Sequence, residues 1–194
     1  MKTPALSPGS LIPESELLAV LKSCGRKVKA FRNCRIFPPE LVEIGDFSQI
    51  DEGARIFAGE GVQIGRYVHL AVDSSISGGG KCILQDFVGI GVAVRLITGT
   101  EISDGSCLTN PTVPSEYRKI SRSLITIKKH ALIFTHTTVL PDVTIGEGTV
   151  VAAGSIVHHD LKPWSIYAGN PLVQVGVRDS EKILKNVFED LNHF

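Results

Sequence analysis

The chain has 194 residues, 43 % of them hydrophobic, and its 20 basic residues balance its 20 acidic ones. The length predicts one main domain with a core of its own. A net charge of zero leaves no basic field to attract nucleic acid or anionic lipid, so we expect neither as a partner. The sequence has no long apolar run and no signal-peptide pattern, which predicts a cytoplasmic protein without a membrane anchor.

The N-terminal part, residues 1–35, is predicted to be an extension that carries a short helix. Within it, residues 15–23 (SELLAVLKS) place Leu17, Leu18 and Leu21 at helical spacing. Four cysteines are spread along the chain without a CxxC pair. We expect all four to be reduced and at least partly buried.

Residues 36–178 repeat an aliphatic residue every sixth position, whereas helices repeat near 3.6 residues and flat strands near 2. Small or aliphatic residues recur four places after these anchors, and glycine often follows the anchor directly. Three such segments close a triangular coil of about 18 residues, and stacked coils bury the anchors in columns. The pattern predicts an all-β-dominated protein, a parallel β-helix. The anchors are Ile44, Ile50, Ile56, Val62, Ile64, Leu70, Ile76, Leu84, Ile90, Leu96, Ile102, Ile127, Ile133, Val139, Ile145, Val151 and Val157.

Two further segments do not follow the repeat. Residues 103–124 (SDGSCLTNPTVPSEYRKISRSL) form a polar insertion between coils, and a long loop on a rigid scaffold is often functional. Residues 179–194 are predicted to form a C-terminal helix, because DSEKILKNVFEDLN carries one apolar stripe.

Four blocks carry a resemblance to a known family. They are the hexads of residues 127–157, IGRYVHLA at 64–71, LTNPTVPSEY at 108–117 and PWSIYAGNPLVQV at 163–175. With them the chain resembles the left-handed β-helix acyltransferases of the hexapeptide-repeat type, and among these the acetyltransferases that modify bacterial surface sugars. The resemblance implies a left-handed coil and a homotrimer, with acetyl-CoA in the cleft between adjacent solenoids.

The implied reaction is transfer of acetyl from acetyl-CoA, a co-substrate, to an amino or hydroxyl group of a sugar. The sugar is nucleotide-linked or a precursor of a surface polysaccharide, such as the O-antigen of lipopolysaccharide, and no metal is implied. Acyl transfer needs a base for the attacking group, a hydrogen-bond donor for the developing oxyanion and a groove that positions the thioester.

The base candidates are outward-facing residues. His69 precedes the anchor Leu70, so its side chain points out of the coil, and the YVHLA context favours it as general base. The maltose- and galactoside-type relatives carry their base in a loop that corresponds here to ITGTEIS, where Glu101 is the sole proton acceptor. Glu101 is expected to orient His69 or bind the sugar, or to be a solvated charge. His136, at a corner, is expected to bind substrate, or to contact the cofactor or a partner subunit, whereas His130 is expected to be structural.

The insertion supplies the other substrate candidates. The amide of Asn110 can donate to a sugar oxygen, although Asn before Pro is also a common turn former. Tyr117 and Arg118 can close over substrate, and Arg118 or Arg122 can meet the diphosphate of a nucleotide sugar.

The cofactor side rests on the resemblance. The small residues Ala153 and Gly154 are expected to let the pantetheine arm lie close to the backbone. The turn expected at the adenine end comprises Ala168, Gly169, Asn170 and Pro171. Arg178 is expected at the 3′-phosphate, and Lys128 or Lys129 is expected as a further phosphate contact.

Two alternatives remain on the same fold. A γ-type carbonic anhydrase needs three histidines that converge on one zinc ion, and His130 and His136 stand on successive corners that face different directions. A non-catalytic trimeric scaffold needs neither the polar insertion nor the YAGNP block. Metal analysis and CoA binding distinguish these readings.

Overall fold

The structure, a computed structural model, describes residues 9–190 and the side chains up to residue 185. In this part the chain winds into coils of short strands joined at corners. The elements begin with α1 (Glu14–Val20), β1 (Ser23–Cys24), β2 (Lys29–Ala30), β3 (Arg35–Phe37), a 3-10 helix (Pro39–Leu41), β4 (Val42–Ile44), β5 (Gln49–Ile50), β6 (Arg55–Phe57), β7 (Val62–Ile64), β8 (His69–Leu70) and β9 (Ser75–Ser77). They continue with β10 (Lys81–Leu84), β11 (Gly89–Ile90), β12 (Arg95–Ile97), β13 (Gly99–Glu101), a 3-10 helix (Ser115–Tyr117), β14 (Ile120–Arg122), β15 (Leu124–Ile127), β16 (Leu132–Ile133), β17 (Thr138–Val139), β18 (Thr144–Ile145), β19 (Val150–Val151), β20 (Ile156–Val157), β21 (Ser165–Ala168), β22 (Val173–Val177) and α2 (Glu181–Asp190).

Three walls form a triangular prism. The first wall has the strand order β1-β4-β7-β10-β15-β18, the second β2-β5-β8-β11-β16-β19-β21-β22, and the third β3-β6-β9-β12-β17-β20. Pairing within the walls is parallel except where β22 returns antiparallel along β21. The first corner joins the first wall to the second, the second corner joins the second wall to the third, and the third corner leads into the next coil. The predicted parallel β-helix is therefore confirmed.

The coils without the insertion are of three lengths. In the lower part Gln49 pairs with His69 and His69 with Gly89, so each coil has twenty residues. In the upper part Leu132 pairs with Val150, eighteen residues on, and Val150 pairs with Ile166, sixteen residues on. The predicted coil of eighteen residues does not hold for the lower coils, because they carry two additional residues at the third corner, nor for the last coil.

The solenoid starts earlier than the predicted boundary between residues 35 and 36. Strands β1, β2 and β3 already pair with β4, β5 and β6 and so form the first coil. Its inward positions are Cys24, Ala30 and Ile36, which keep the six-residue period with a thiol and a methyl group in place of larger aliphatics. Those two substitutions hid the first coil from the aliphatic pattern.

Both ends of the stack carry further elements. Below the first coil, α1 places Leu17 against the core with 2 % of its surface exposed, which covers the open end. The predicted C-terminal helix matches α2, and residues 191–194 of that prediction lie outside the described residues. No helix within residues 9–190 is long and apolar enough to span a membrane.

The insertion leaves the solenoid at the third corner. It begins at Gly99, four residues before the predicted start, with an antiparallel hairpin of β13 and β14. The glycine run in the coil below makes room for this hairpin. A Cβ on Gly80 would stand 2.2 Å from the carbonyl oxygen of Ser123, and one on Gly78 would stand 2.3 Å from the nitrogen of Gly99. The glycines of SGGGK are therefore required by the close approach of two backbones.

A column of rings lines the first corner. Its residues adopt left-handed backbone conformations with φ between 54° and 64°, and successive ring centroids lie 4.8, 5.1, 5.0 and 6.3 Å apart. The ring column consists of Phe47, Tyr67, Phe87, His130 and Trp164.

A column of charges stands beside the rings, one residue earlier in each coil. Its signs alternate along the stack through Arg26, Asp46, Arg66, Asp86, Lys129 and Glu147. Arg26 pairs with Asp46 at 3.1 Å, and Arg66 pairs with Asp86 at the same distance. The backbone N–H of Arg26 also donates to Asp46 and, with the guanidinium, lowers the pKa of that carboxyl. Ring stacking and ion pairs between successive coils thus stabilise the first corner.

Candidate active site

His69 lies on the outer face of the second wall, as its place before an anchor predicted. In β8 the side chain of Leu70 is fully buried, so the imidazole of His69 points outward with 48 % of its surface exposed. Its Nε2 lies 2.8 Å from Oδ2 of Asp51, which follows β5 in the coil below. Gln49 donates from its amide to Oδ1 of the same carboxylate at 2.7 Å. These three side chains form the Gln49–Asp51–His69 cluster.

The wall above His69 carries no side chain in the next coil. Gly89 pairs directly with His69, and a Cβ on Gly89 would stand 2.8 Å from Cδ1 of Leu132. Leu132 therefore leans down over the glycine from the coil above. An apolar side chain thus covers the position next to His69, while 48 % of the histidine side chain remains exposed.

The second corner continues upward from this cluster and brings several predicted residues together. His136 is exposed at this corner, and the amide of Gly154 in the next coil donates to the carbonyl of Thr135. The predicted turn sits on the coil above, where the amide of Gly169 donates to Oγ of Ser155 at 3.0 Å. Ala153 and Gly154 are exposed, and a Cβ on Gly154 would meet nothing within 4 Å. The turn comprises Ala168, Gly169, Asn170 and Pro171.

The second corner at Gly154 has open space in which a CoA arm could lie. A strip of small, exposed residues without side chains in the way is what close approach of a ligand to backbone requires. The strip lies at the same corner as Asp51, several coils above it. The residues present are compatible with the predicted pantetheine contact.

The insertion forms a second cluster at the third corner. Arg118 makes a forked ion pair with the carboxylate of Glu101, and both side chains are largely buried. Asn110 uses its side-chain oxygen to accept from the amide and hydroxyl of Thr112, so its turn-forming reading is the one observed. Tyr117 is 59 % exposed. This cluster stands one wall away from His69, so the predicted contact between Glu101 and His69 does not occur within one chain.

A cavity of about 390 Å³ lies at the root of the insertion. Among its lining residues Arg118 is neutralised by Glu101, whereas Arg122 is exposed and lies beside Gly79 of the glycine corner. Glu60 contributes a carboxylate to the same cavity. The pocket is therefore polar and close to electrically balanced.

The remaining predicted cofactor residues stand at the first corner. Arg178 donates from Nη1 to the backbone carbonyls of His130, at 2.7 Å, and Gly148, at 3.1 Å. Burial lowers the pKa of this guanidinium. The observed contacts tie the C-terminal segment to the ring column. Lys128 is exposed at the same corner, which the second wall separates from Gly154.

Sequence reasoning missed Asp51 and Gln49. Asp51 directly follows the anchor Ile50, at an outward position one coil before His69, and an acid there was the available signal. The prediction placed a partner of His69 at Glu101, whereas the neighbouring coil supplies the observed one, Asp51. Because side chains on adjacent coils lie about 4.8 Å apart in a β-ladder, the coil below was the nearer source.

The histidines do not form a zinc site in the described part of the chain. His130 is buried in the ring column, where burial lowers its pKa, and His136 is exposed one corner further on. No group of three or more His, Cys, Asp or Glu able to hold a metal ion occurs among residues that the structure describes. All four cysteines are free, and burial raises the pKa of Cys82 to about 12.

Repeated coils and an open second corner with an oriented histidine define a protein of the hexapeptide-repeat class. No protein-family profile matches the chain. It is 34 % identical, over 87 % of its length and 88 % of the other, to dTDP-4-amino-4,6-dideoxy-D-glucose acyltransferase of Escherichia coli. The chain belongs to the family of that protein, the hexapeptide-repeat sugar acyltransferases, and is an acyltransferase. The predicted resemblance is confirmed.

Other similar proteins are also acyltransferases or acetyltransferases by name. The chain is 28 % identical to WbbJ, a putative lipopolysaccharide biosynthesis O-acetyl transferase of Escherichia coli K12, over 73 % of this chain and 78 % of the other. AntD, an N-acyltransferase from Bacillus cereus solved as a variant with dTDP-4-amino-4,6-dideoxyglucose and coenzyme A, superposes with a TM-score of 0.89 at 29 % identity, covering 96 % of this chain and 99 % of AntD. A hexapeptide-repeat acetyltransferase from Vibrio cholerae, at 18 % identity, covers 86 % of this chain and 76 % of its own with a TM-score of 0.59, and supports the fold alone.

Proposed function

We propose that this protein transfers an acyl group from an acyl-CoA to the amino group of a nucleotide-linked amino sugar, a dTDP-4-amino-4,6-dideoxyhexose. The observation that carries the proposal is the full-length likeness to AntD, which spans 96 % of this chain, solenoid and insertion together. The Escherichia coli relative bears the same sugar in its name. Acetyl is the predicted acyl group, although a second AntD structure holds 3-hydroxybutyryl-CoA, so longer chains belong in the test.

The chemistry needs one proton to move. The free amine of the sugar forms a bond to the carbonyl carbon of the thioester, the carbon–sulfur bond breaks, and the products are an amide and the CoA thiol. The proton that leaves the nitrogen passes to the imidazole of His69 and from there to the departing sulfur. His69 is suited to this role because it is outward, half exposed and hydrogen-bonded to a carboxylate.

The proposed CoA site is the strip of the second corner above His69. Ala153 and Gly154 let the pantetheine arm lie against the backbone, and the turn of residues 168–171 flanks its far end. His136 is exposed at the same corner, on a coil between this strip and His69. Lys128 and Arg178 lie at the first corner, so they serve a phosphate only if it is bound from a neighbouring copy.

The same reasoning supports the homotrimer that the family resemblance implied. The substrate residues Asn110, Tyr117, Arg118 and Glu101 stand at the third corner, and His69 and the small-residue strip stand at the second. In the proposed trimer, a third corner of one copy lies beside a second corner of the next. Each complete site then takes the thioester from one side and the nucleotide sugar from the other.

The test is an acceptor screen with the purified protein. We expect release of free thiol from acetyl-CoA in the presence of dTDP-4-amino-4,6-dideoxyglucose, and none with dTDP-glucose, which lacks the amine. Turnover with dTDP-glucose instead supports an O-acetyltransferase, the reading that the likeness to WbbJ favours. Absence of turnover with both sugars, together with absence of CoA binding, overturns the proposal.

A pair of variants tests the base. His69→Gln is expected to lower kcat about 100-fold, the usual contribution of a general base, with the fold intact because the side chain is on the surface. His158→Gln is the matched control, since His158 is exposed at the end of the last coil and has no role in the proposed site. Equal kcat in both variants and the native protein means that solvent takes the proton.

A further inference from the structure

The Gln49–Asp51–His69 cluster bears on the tautomer of the His69 imidazole. A neutral imidazole carries one N–H, and the partner of one ring nitrogen decides where that hydrogen sits. An ionised carboxylate only accepts hydrogen bonds. The 2.8 Å contact between Nε2 of His69 and Oδ2 of Asp51 therefore requires the proton to be on Nε2.

We propose that Asp51 is a positioning residue that fixes His69 as the Nε2–H tautomer and so leaves the lone pair of Nδ1 as the atom that accepts the proton of the sugar amine. This inference rests on the proposed function for its catalytic consequence, whereas the tautomer itself can be measured without substrate.

Asp51 is itself held in place. Its side chain is 16 % exposed, and its second oxygen accepts from the amide of Gln49 at 2.7 Å. Gln49 stands directly below His69 in the ladder and Asp51 directly follows the strand of Gln49, so all three side chains lie on two adjacent coils. The carboxylate therefore has one orientation to offer to the ring, and it stabilises the imidazolium once the proton has arrived.

Nδ1 differs from Nε2 in its surroundings. Within residues 9–190 no protein group hydrogen-bonds to this nitrogen, and the next residue up the column is Gly89, which has no side chain. The histidine side chain is 48 % exposed, so a substrate group can reach the ring from solvent. The geometry thus divides the two nitrogens into one that is oriented and one that can react.

A plain surface ion pair is the competing explanation. In that case the contact exists only while His69 is protonated, and a neutral ring is released to exchange between tautomers. The two explanations differ in the tautomeric state of the neutral ring, so the experiment is done with a neutral imidazole.

The experiment is ¹⁵N spectroscopy of the histidine rings at about pH 8.5, where an ordinary imidazole is neutral. The His69 signals are assigned by their loss in His69→Gln. We expect one signal typical of a protonated Nε2 and one of an unprotonated Nδ1. In Asp51→Asn the amide can donate to Nε2, so we expect the opposite tautomer and a fall in kcat of about 100-fold or more with KM little changed.

Asp73→Asn is the matched control. Asp73 is a carboxylate at the same corner, three residues after the buried Leu70, and its partner is Arg55 at 3.6 Å. We expect this variant to keep the native tautomer of His69 and the native kcat. The proposal is overturned if native His69 exchanges between tautomers or carries its proton on Nδ1, or if Asp51→Asn keeps both the native spectrum and the native rate. A native Nε2–H spectrum with no turnover on any amino sugar means instead that the proposed function is wrong.

Discussion

The imidazole of His130 and the indole of Trp164 stack with 6.3 Å between ring centroids, although a whole coil lies between their backbones. That coil contributes Gly148 at the corresponding corner position, with φ of +66°. A Cβ there would stand 2.2 Å from the indole ring. The indole therefore fills the space that the glycine leaves, and the ring column continues without a gap.

Gly148→Ala is expected to lower the free energy of unfolding by about 3 kcal/mol. The methyl group displaces the indole of Trp164, and alanine is strained at a positive φ. Gly154→Ala is the matched control, because it has φ of +69° at the second corner and open space around its Cβ. It is expected to cost about 1 kcal/mol from backbone strain alone. Equal losses in urea denaturation of the two variants would show that the indole yields freely.

His130→Phe is expected to remove part of the pH dependence of stability. Burial lowers the pKa of His130 below 6.5, its ordinary value, so the unfolded chain takes up the proton first as the pH falls. The native protein should therefore lose unfolding free energy as the pH falls below about 6.5, down to the lowered folded pKa. Phenylalanine occupies the same left-handed position at Phe87 and Phe47, so it can replace the imidazole in the stack.

The measurement is denaturation of both proteins between about pH 7.5 and 5. The loss of stability on acidification should be smaller in His130→Phe than in the native protein. Parallel curves would mean that His130 is protonated as readily in the folded chain as in the unfolded one.

Asp86 contacts two groups of Arg66, and two variants distinguish the contributions of these contacts to stability. Its Oδ1 accepts from the backbone N–H of Arg66 at 2.8 Å, and its Oδ2 pairs with the guanidinium at 3.1 Å. Asp86→Asn keeps the first contact, so we expect a loss below about 1 kcal/mol, typical of surface ion pairs. Asp86→Ala loses both and is expected to cost about 1–2 kcal/mol. If thermal denaturation gives equal losses for the two variants, the ion pair and not the backbone contact stabilises the corner.

The Glu101–Arg118 pair is expected to fasten the insertion to the solenoid. Glu101→Gln leaves the guanidinium largely buried without its counter-ion, and loosening of the loop should speed chymotrypsin cleavage after Tyr117 severalfold. Glu116→Gln, an exposed carboxylate next to the cleavage site, is the matched control and should be cut at nearly the native rate. Cleavage that is equally fast in both variants would indicate that the hairpin alone holds the loop.

Much of this architecture could be predicted from the sequence, because an inward side chain every six residues produces a visible period in the order of the residues. Ile133, Val139 and Ile145 are buried as the pattern required. The first coil was missed where Cys24 and Ala30 replace the larger anchors.

The site was harder to predict because its contacts join neighbouring coils. With a coil of twenty residues Gln49 stands directly beneath His69, and with a coil of eighteen residues Asp51 would stand there. The length of the coil is set at the third corner, far from the histidine. The partner of Glu101 depends on how the insertion folds back, which no periodic signal describes.

The alternating charges beside the ring column also restrict how such a stack can grow or shrink. Removal of the one coil that carries Asp86 would set Arg66 against Lys129, two positive groups, in adjacent layers. Removal of two consecutive layers would restore opposite signs across the junction. Duplications and deletions in the ancestry of this chain are therefore expected to have involved even numbers of layers, so the parity of the stack is preserved by electrostatics.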